Sequence, residues 1–184
     1  AVTNESIVLD LGAGLGLHGL MAASYGAKKV YLIEPSPVVE VARELAEQNG
    51  LSKSMDFLNG TIEEIQLPEK VDVIISVFTG NFLLEEDLLP SLLFARDRYL
   101  RPNGILLPER AIMRVAPVSL PNYYEKLVAG WENPQSGFDY SHIRTLAANT
   151  VYYDRPNRRD AEFLAPATPL MTLDFLTATE AMCH

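Results

Sequence analysis

Three glycines in five residues, Gly12-Ala13-Gly14-Leu15-Gly16, leave an apolar run from Ile7 to Leu11, and about 20 residues later a second apolar run ends in Glu34. Glycines at such a turn let a ligand approach bare backbone, and a carboxylate at that interval can accept from both hydroxyls of a ribose. Together they read as a nucleoside site. Asp10 adds a charge at the tip of the first run, where a cationic portion of a ligand is welcome and a pyrophosphate is not. In the dinucleotide fingerprint the third glycine stands three positions after the second. Here Leu17 holds that place. Reading the set as Gly14, Gly16 and Gly19 restores the spacing but moves the motif off the strand end. The pattern favours a nucleoside carrying a zwitterionic amino-acid tail over a nicotinamide dinucleotide.

These groups need a frame. Residues 6–11 and 29–33 read as buried strands, with a helix from His18 to Tyr25 between them. Pro37 can open a second helix, whose Val38, Val41, Ala42, Leu45 and Ala46 recur at helical spacing before Asn49-Gly50. Met55 to Leu58 and Val71 to Ile75 read as further strands, and Leu88 to Tyr99 as a helix. Arg101-Pro102-Asn103-Gly104 then turns the chain into a fifth strand at Ile105 to Leu107. Such alternation implies an α/β fold, an open, doubly wound, mostly parallel sheet with its crevice at the carboxyl ends of the strands. After Pro108 the texture changes. Ala111 to Pro117, Asn149 to Tyr153 and Leu170 to Phe175 read as strands between proline-rich turns, with a helix from Asn122 to Trp131. The expected domains are 1–108, which carries the nucleoside site, and 109–184, antiparallel and β-rich. The second has few strands with which to close on itself, and the first strand begins within a few residues of the start, so the chain reads as a fragment or as lacking flanking segments.

Composition narrows the class. The 184 residues are 48% hydrophobic and 21% charged, ordinary for a globular protein, and no apolar stretch is long enough to span a bilayer. No basic region precedes the first apolar run, so no signal peptide is expected. The single cysteine, Cys183, excludes an internal disulfide, and a cytoplasmic setting is expected. A net charge of −9 repels phosphate backbones and attracts cationic partners, which argues against nucleic acid. Asp56, Asp72 and Asp139 read as structural acids. Tyr123, Tyr124 and Trp131 read as the packed face of the second domain's helix.

Val8-Leu9-Asp10-Leu11-Gly12-Ala13-Gly14-Leu15-Gly16 resembles motif I of the class I S-adenosylmethionine-dependent methyltransferases. Ala27 to Ser36, Asn49-Gly50-Leu51, Gly60 to Pro68, Phe94 to Gly104, Trp131-Glu132-Asn133 and Gly137-Phe138-Asp139 resemble the protein arginine methyltransferase branch, and the likeness fades beyond about residue 140. The resemblance implies S-adenosyl-L-methionine as cofactor, bound by Asp10, Gly12, Gly14, Gly16, Glu34, Ile62 and Glu63. Glu34 takes the ribose, Glu63 the adenine amino group with Ile62 beside the ring, and Asp10 and Gly12 the methionine end. It implies that residues after Pro108 belong to a β-barrel-like substrate domain. It also implies pairing into a homodimer through an arm, which finds no place between residues 140 and 184.

The family fixes a substrate guanidinium with two glutamates on one loop, patterned Ser-Glu-x-x-Gly and then a second Glu. A guanidinium stays charged at any ordinary pH and its electrons are delocalised, so acids must localise charge away from the attacking nitrogen. The corresponding loop here is Ser76-Val77-Phe78-Thr79-Gly80 continuing to Asp87. Val77 stands at the first glutamate, Glu86 at the second, and Glu85 or Asp87 is close enough in sequence to substitute. Glu86 and Glu85 are therefore the catalytic candidates. Loss of one oriented partner costs on the order of 2.7 to 4 kcal/mol of transition-state stabilisation. No metal is expected, because the sulfonium of the cofactor is itself the electrophile. The resulting expectation is methyl transfer to a cationic nitrogen, on an arginine-rich protein or a small cationic substrate. The alternative is a cofactor-binding protein with another acceptor or little activity.

Overall fold

The computed structural model describes residues 2–77, 88–132, 137–152 and 157–179. Five strands, β1 (Ile7–Leu11), β2 (Lys29–Glu34), β3 (Met55–Asn59), β4 (Val71–Ile75) and β5 (Leu100–Leu107), form one sheet in the order β3-β2-β1-β4-β5 with every pairing parallel. Each inner strand is a near-continuous apolar run because both faces of the sheet are covered. The chain winds outward from β1 in one direction through β2 to β3, and in the other through β4 to β5. The crevice of such a sheet falls where the winding reverses, at the carboxyl end of β1.

Helices α1 (Leu17–Ser24) and α2 (Val39–Gln48) cover one face. Ala22 and Ala23 of the first and Val39, Ala42 and Ala46 of the second close on Val8, Val30, Leu32, Phe57 and Val73. Small residues at the buried helical positions let both helices lie close to the sheet. Val41, expected on the apolar face of α2, is turned outward. Right-handed crossovers put helix α3 (Leu89–Tyr99) on the opposite face. It buries Leu92, Leu93, Ala95 and Tyr99. On the edge strand β3, Arg43 of α2 sets its guanidinium 5.1 Å from the Phe57 ring and donates to the Phe57 carbonyl at 3.3 Å. That covers an edge otherwise open to pairing.

Strand β5 differs from the expected turn-then-strand. It pairs from Leu100 against Val71, and its register then jumps so that Ile105 lies beside Val73. The expected turn residues form this irregularity, with Asn103 at φ 63°. Asn is among the few side chains that tolerate that conformation.

By compactness the chain divides into Ala1–Met113 with Thr172–His184, and Arg114–Met171. Strands β6 (Arg110–Val115) and β9 (Thr168–Asp174) pair with each other. Within the second unit, β7 (Val118–Ser119) pairs antiparallel with β8 (Glu162–Phe163). Helix α4 (Pro121–Leu127) ends earlier than expected, and a short 3-10 turn carries the chain to Trp131. A helix not anticipated, α5 (Ser141–Ala148), precedes residues 149–152, which form no strand although a strand was expected from Asn149. Asp139 starts α5 by accepting from the Ser141 N–H at 2.9 Å. The aromatic residues of α4 do not share one packed face: Tyr123 meets Tyr152 edge to face, whereas Tyr124 is largely exposed. Among the described residues no helix is long and apolar enough to cross a membrane.

Asp72 staples the amino ends of the sheet. Its carboxylate accepts from the Ile7 N–H at 2.8 Å and from the Arg101 guanidinium at 2.6 Å, tying the starts of β1, β4 and β5. Ile7 is buried, so its N–H finds no water when that acceptor is removed. Asp72→Ala is expected to lower stability by about 1–3 kcal/mol in chemical denaturation.

Candidate functional site

The ends of β1, β2 and β3 open into a cleft of about 170 Å³ that continues into open solvent. Leu11 and Gly12 border it from β1, Ile33 and Pro35 from β2, and Gly60 to Glu63 from the loop after β3. Ser76, Val77, Leu88 and Ser91 close its remaining side. Most of this wall is apolar, suited to a flat ring.

Glu34 stands at the last position of β2, beside the cleft. Its Oε2 accepts from the Gly14 N–H and its Oε1 from the Ser36 N–H, both at 2.9 Å. Partial burial pushes its pKa up, but the hydrogen bonds from Ser36 and then from Gly14 outweigh it and hold the carboxyl below its ordinary value. The group is thus ionised at neutral pH, with acceptor capacity left on each oxygen. Gly14 can present its N–H this way because it lies at φ 55°, where an L side chain is strained. The turn is pinned from the other side by the Ile33 carbonyl, which accepts from Gly12 at 2.9 Å and Ala13 at 3.1 Å.

The three glycines divide between two tasks. Gly12 lines the cleft, and a Cβ placed there would meet nothing within 4 Å. Gly16, expected with it on the ligand, instead faces inward: a Cβ would lie 2.5 Å from Leu32 Cδ1 and 3.1 Å from Ala42 Cβ. Its role is to let α1 rest on β2 and α2. Gly19, which sequence reasoning left without a role, packs against Val30 and Leu32 and donates its N–H to Asp10 Oδ2 at 2.6 Å.

That bond removes Asp10 from the cleft wall. Asp10 is 2% exposed, beneath the glycine turn, and it acts on the turn and on α1 from below. Burial pushes its pKa up to about 6, against the Gly19 hydrogen bond and nearby His18, with Glu34 adding to the rise. Ile62 and Glu63 do reach the cleft. Ile62 is fully buried in its wall, and Glu63 Oε1 accepts from the Ser91 hydroxyl at 2.5 Å. Val77, at the mouth, is 65% exposed. Glu85 and Glu86, with Phe78, Phe82 and Asp87, lie outside the described residues, as do Cys183 and His184.

The hydrogen-bonding roles of three polar residues of the site escaped sequence reasoning. Ser91 orients Glu63. Ser76 donates its hydroxyl to the Leu11 carbonyl at 3.0 Å and its N–H to the Leu107 carbonyl at 2.8 Å, binding the ends of β1, β4 and β5. Asn59 reaches across to the residues that follow β2. A signal existed for two of them: Asn59 and Ser76 are the polar residues that close the apolar runs of β3 and β4.

The buried acid makes a pH prediction. A carboxyl whose pKa is higher in the folded chain than the ordinary 3.8 favours folding while protonated, and that advantage is lost as pH rises through about 6. Asp10→Asn keeps an acceptor for Gly19 and removes the ionisation. Its unfolding free energy relative to the parent is expected to improve by roughly 2 kcal/mol between pH 4.5 and 7.5, whereas a pH-independent difference would sink the assignment.

Comparison with known proteins follows the same geometry. A family model described as methyltransferase domain matches residues 8–104. Protein arginine N-methyltransferase 1 of Schizosaccharomyces pombe is 42% identical over 141 residues, 76% of this chain and 41% of that protein. The probable protein arginine N-methyltransferase 6 of Arabidopsis thaliana is 38% identical over 146 residues, 79% of this chain and 33% of that protein. Among solved structures, the Trypanosoma brucei PRMT1 enzyme–prozyme heterotetrameric complex with AdoHcy superposes at TM-score 0.88 with 36% identity, covering 96% of this chain and 55% of that one. Arabidopsis thaliana protein arginine methyltransferase 10 does so at 0.76 with 32% identity, covering 96% and 56%. The chain thus spans about a third to two fifths of these two curated relatives and little more than half of the solved chains.

Proposed function

Since this chain belongs to the methyltransferase-domain family, and within it to the protein arginine methyltransferases, we propose that it binds S-adenosylmethionine in the cleft at the ends of β1, β2 and β3 and transfers a methyl group to a cationic nitrogen, a protein arginine first of all. The observation that carries this reading is the ionised Glu34, held by Gly14 and Ser36 beside the open edge left by Gly12.

The residues fit that group. Glu34 retains capacity for two ribose hydroxyls, Ile62 and Leu88 give an apolar wall for an adenine, and Glu63 gives an acceptor for its amino group. The negative charge of Asp10 below the turn suits the ammonium of a methionine tail. When bound, the cofactor supplies an electrophilic methyl on a sulfonium, so the chain's own work is placement and exclusion of water. The β-rich part of the chain would present the acceptor. Pairing with a second copy is part of this proposal, supported by the exposed Leu17, Met21 and Tyr25 along one side of α1.

Calorimetry tests the cofactor. S-adenosylhomocysteine should bind and NAD should not, and Glu34→Ala should weaken S-adenosylhomocysteine at least ~10-fold, the scale of charge-assisted hydrogen bonds. Unchanged affinity would remove the basis of the proposal.

Val77 favours a second reading. Where the family places its first glutamate, the cleft mouth carries an exposed aliphatic side chain with no acceptor for a guanidinium. On this reading the chain binds cofactor with little turnover and acts beside a complete partner; the similar Trypanosoma brucei structure is an enzyme–prozyme heterotetrameric complex. A labelled-methyl assay on arginine-rich peptides separates the two. Weak transfer that Val77→Glu raises ~10-fold or more supports arginine chemistry in this chain. No transfer by either protein, with cofactor binding intact, supports the second.

A further inference from the structure

We propose that Asn59 is a positioning residue for Glu34, setting how tightly the ribose of an adenosyl ligand is read. This rests on the cofactor reading above. Parallel register places Asn59 directly beside Glu34, at the carboxyl ends of β3 and β2. From there Asn59 Nδ2 donates to three consecutive carbonyls, those of Glu34 at 3.0 Å, Pro35 at 3.1 Å and Ser36 at 3.0 Å. An amide nitrogen has two hydrogens, so three acceptors share them. Three peptide planes are thereby held by one side chain. The Gly60 N–H adds a fourth bond, to the Glu34 carbonyl at 3.2 Å.

The second of those planes carries the argument. The Pro35 carbonyl and the Ser36 N–H belong to one planar trans peptide, so they point in opposite directions. Drawing that carbonyl toward Asn59 aims the Ser36 N–H away from it, and the Ser36 N–H is what holds Glu34 Oε1. The other oxygen is held by Gly14. With both bonds in place the carboxylate has one orientation; without Asn59 the Ser36 peptide can rotate and one of the two supports is lost. Pro35 itself borders the cleft, so the same loop is also part of its wall.

A residue that merely tied down the loop would alter stability, or weaken every adenosyl ligand alike. A residue acting through Glu34 alters the preference for ligands with ribose hydroxyls. The test compares S-adenosylhomocysteine with its 2′-deoxy analogue by calorimetry on the full chain, for the parent, Asn59→Ala, Asn59→Asp and Glu34→Ala, with melting temperatures recorded without ligand. The parent is expected to prefer the ribose form ~10-fold or more, as loss of a hydrogen bond to a charged group implies. Asn59→Ala should shrink that preference about 3–10-fold, weakening the deoxy analogue, which keeps one of the two hydroxyls, less than the ribose form, and adding it to Glu34→Ala should have no further effect on the preference. Asn59→Asp, which keeps the shape but sets a carboxylate against three carbonyls, should do the same, and it replaces the alanine variant if that one does not fold. A parent that discriminates while both Asn59 variants discriminate equally well, or lose both ligands in proportion, overturns the role of Asn59 alone. A parent that does not discriminate overturns the ribose role of Glu34, and this inference with it.

Discussion

One carboxylate ties the ends of two strands together. Glu34, at the tip of β2, accepts from the first glycine turn on one side and from its own following loop on the other, and both donors are backbone N–H groups. The cleft has its form because those two loops diverge from that point, one toward α1 and the other toward α2. A side chain at Gly14 would strain the first loop. Removing the Glu34 side chain would leave donors of both loops without their partner. The hydrogen bonds that keep it charged are therefore the same ones that keep the cleft in shape.

Beneath the turn lies a second acid with the opposite electrostatics. Asp10 is buried and its pKa is raised, whereas Glu34 is partly exposed and its pKa is lowered. Both sit at the ends of adjacent parallel strands, so the difference arises from solvent access and from the number of backbone donors each can reach. A buried carboxylate that costs stability at neutral pH is hard to explain by packing alone. What it supplies is the hydrogen bond to the Gly19 N–H, which holds α1 beneath the glycine turn.

The wall toward β4 ends in an aliphatic side chain at the mouth of the cleft. Ser76 is buried and locks three strand ends, and the next residue, Val77, turns out into the mouth of the cleft. The strand end is thus fixed by backbone bonds, and the side chain that follows it is aliphatic. A change confined to the side chain alters what the pocket can recognise without disturbing the sheet that builds it.

The amino-acid order by itself determined the alternation of strands and helices through residue 107, because apolar runs, Asn49-Gly50 and the glycine turn are local signals. It also marked Glu34, Ile62 and Glu63, all of which stand on or beside the cleft. Tertiary structure alone decided the rest. Gly16 and Asp10 belong to the same motif as Gly12 and Gly14, yet they face Leu32, Ala42 and Gly19, neighbours brought in by packing. The same holds for residues 101–104, where the register against β4 turns an expected loop into an irregular strand. Asn59 is the clearest case: its partners lie more than twenty residues away in sequence and adjacent in register, and only the pairing of β2 with β3 makes them neighbours.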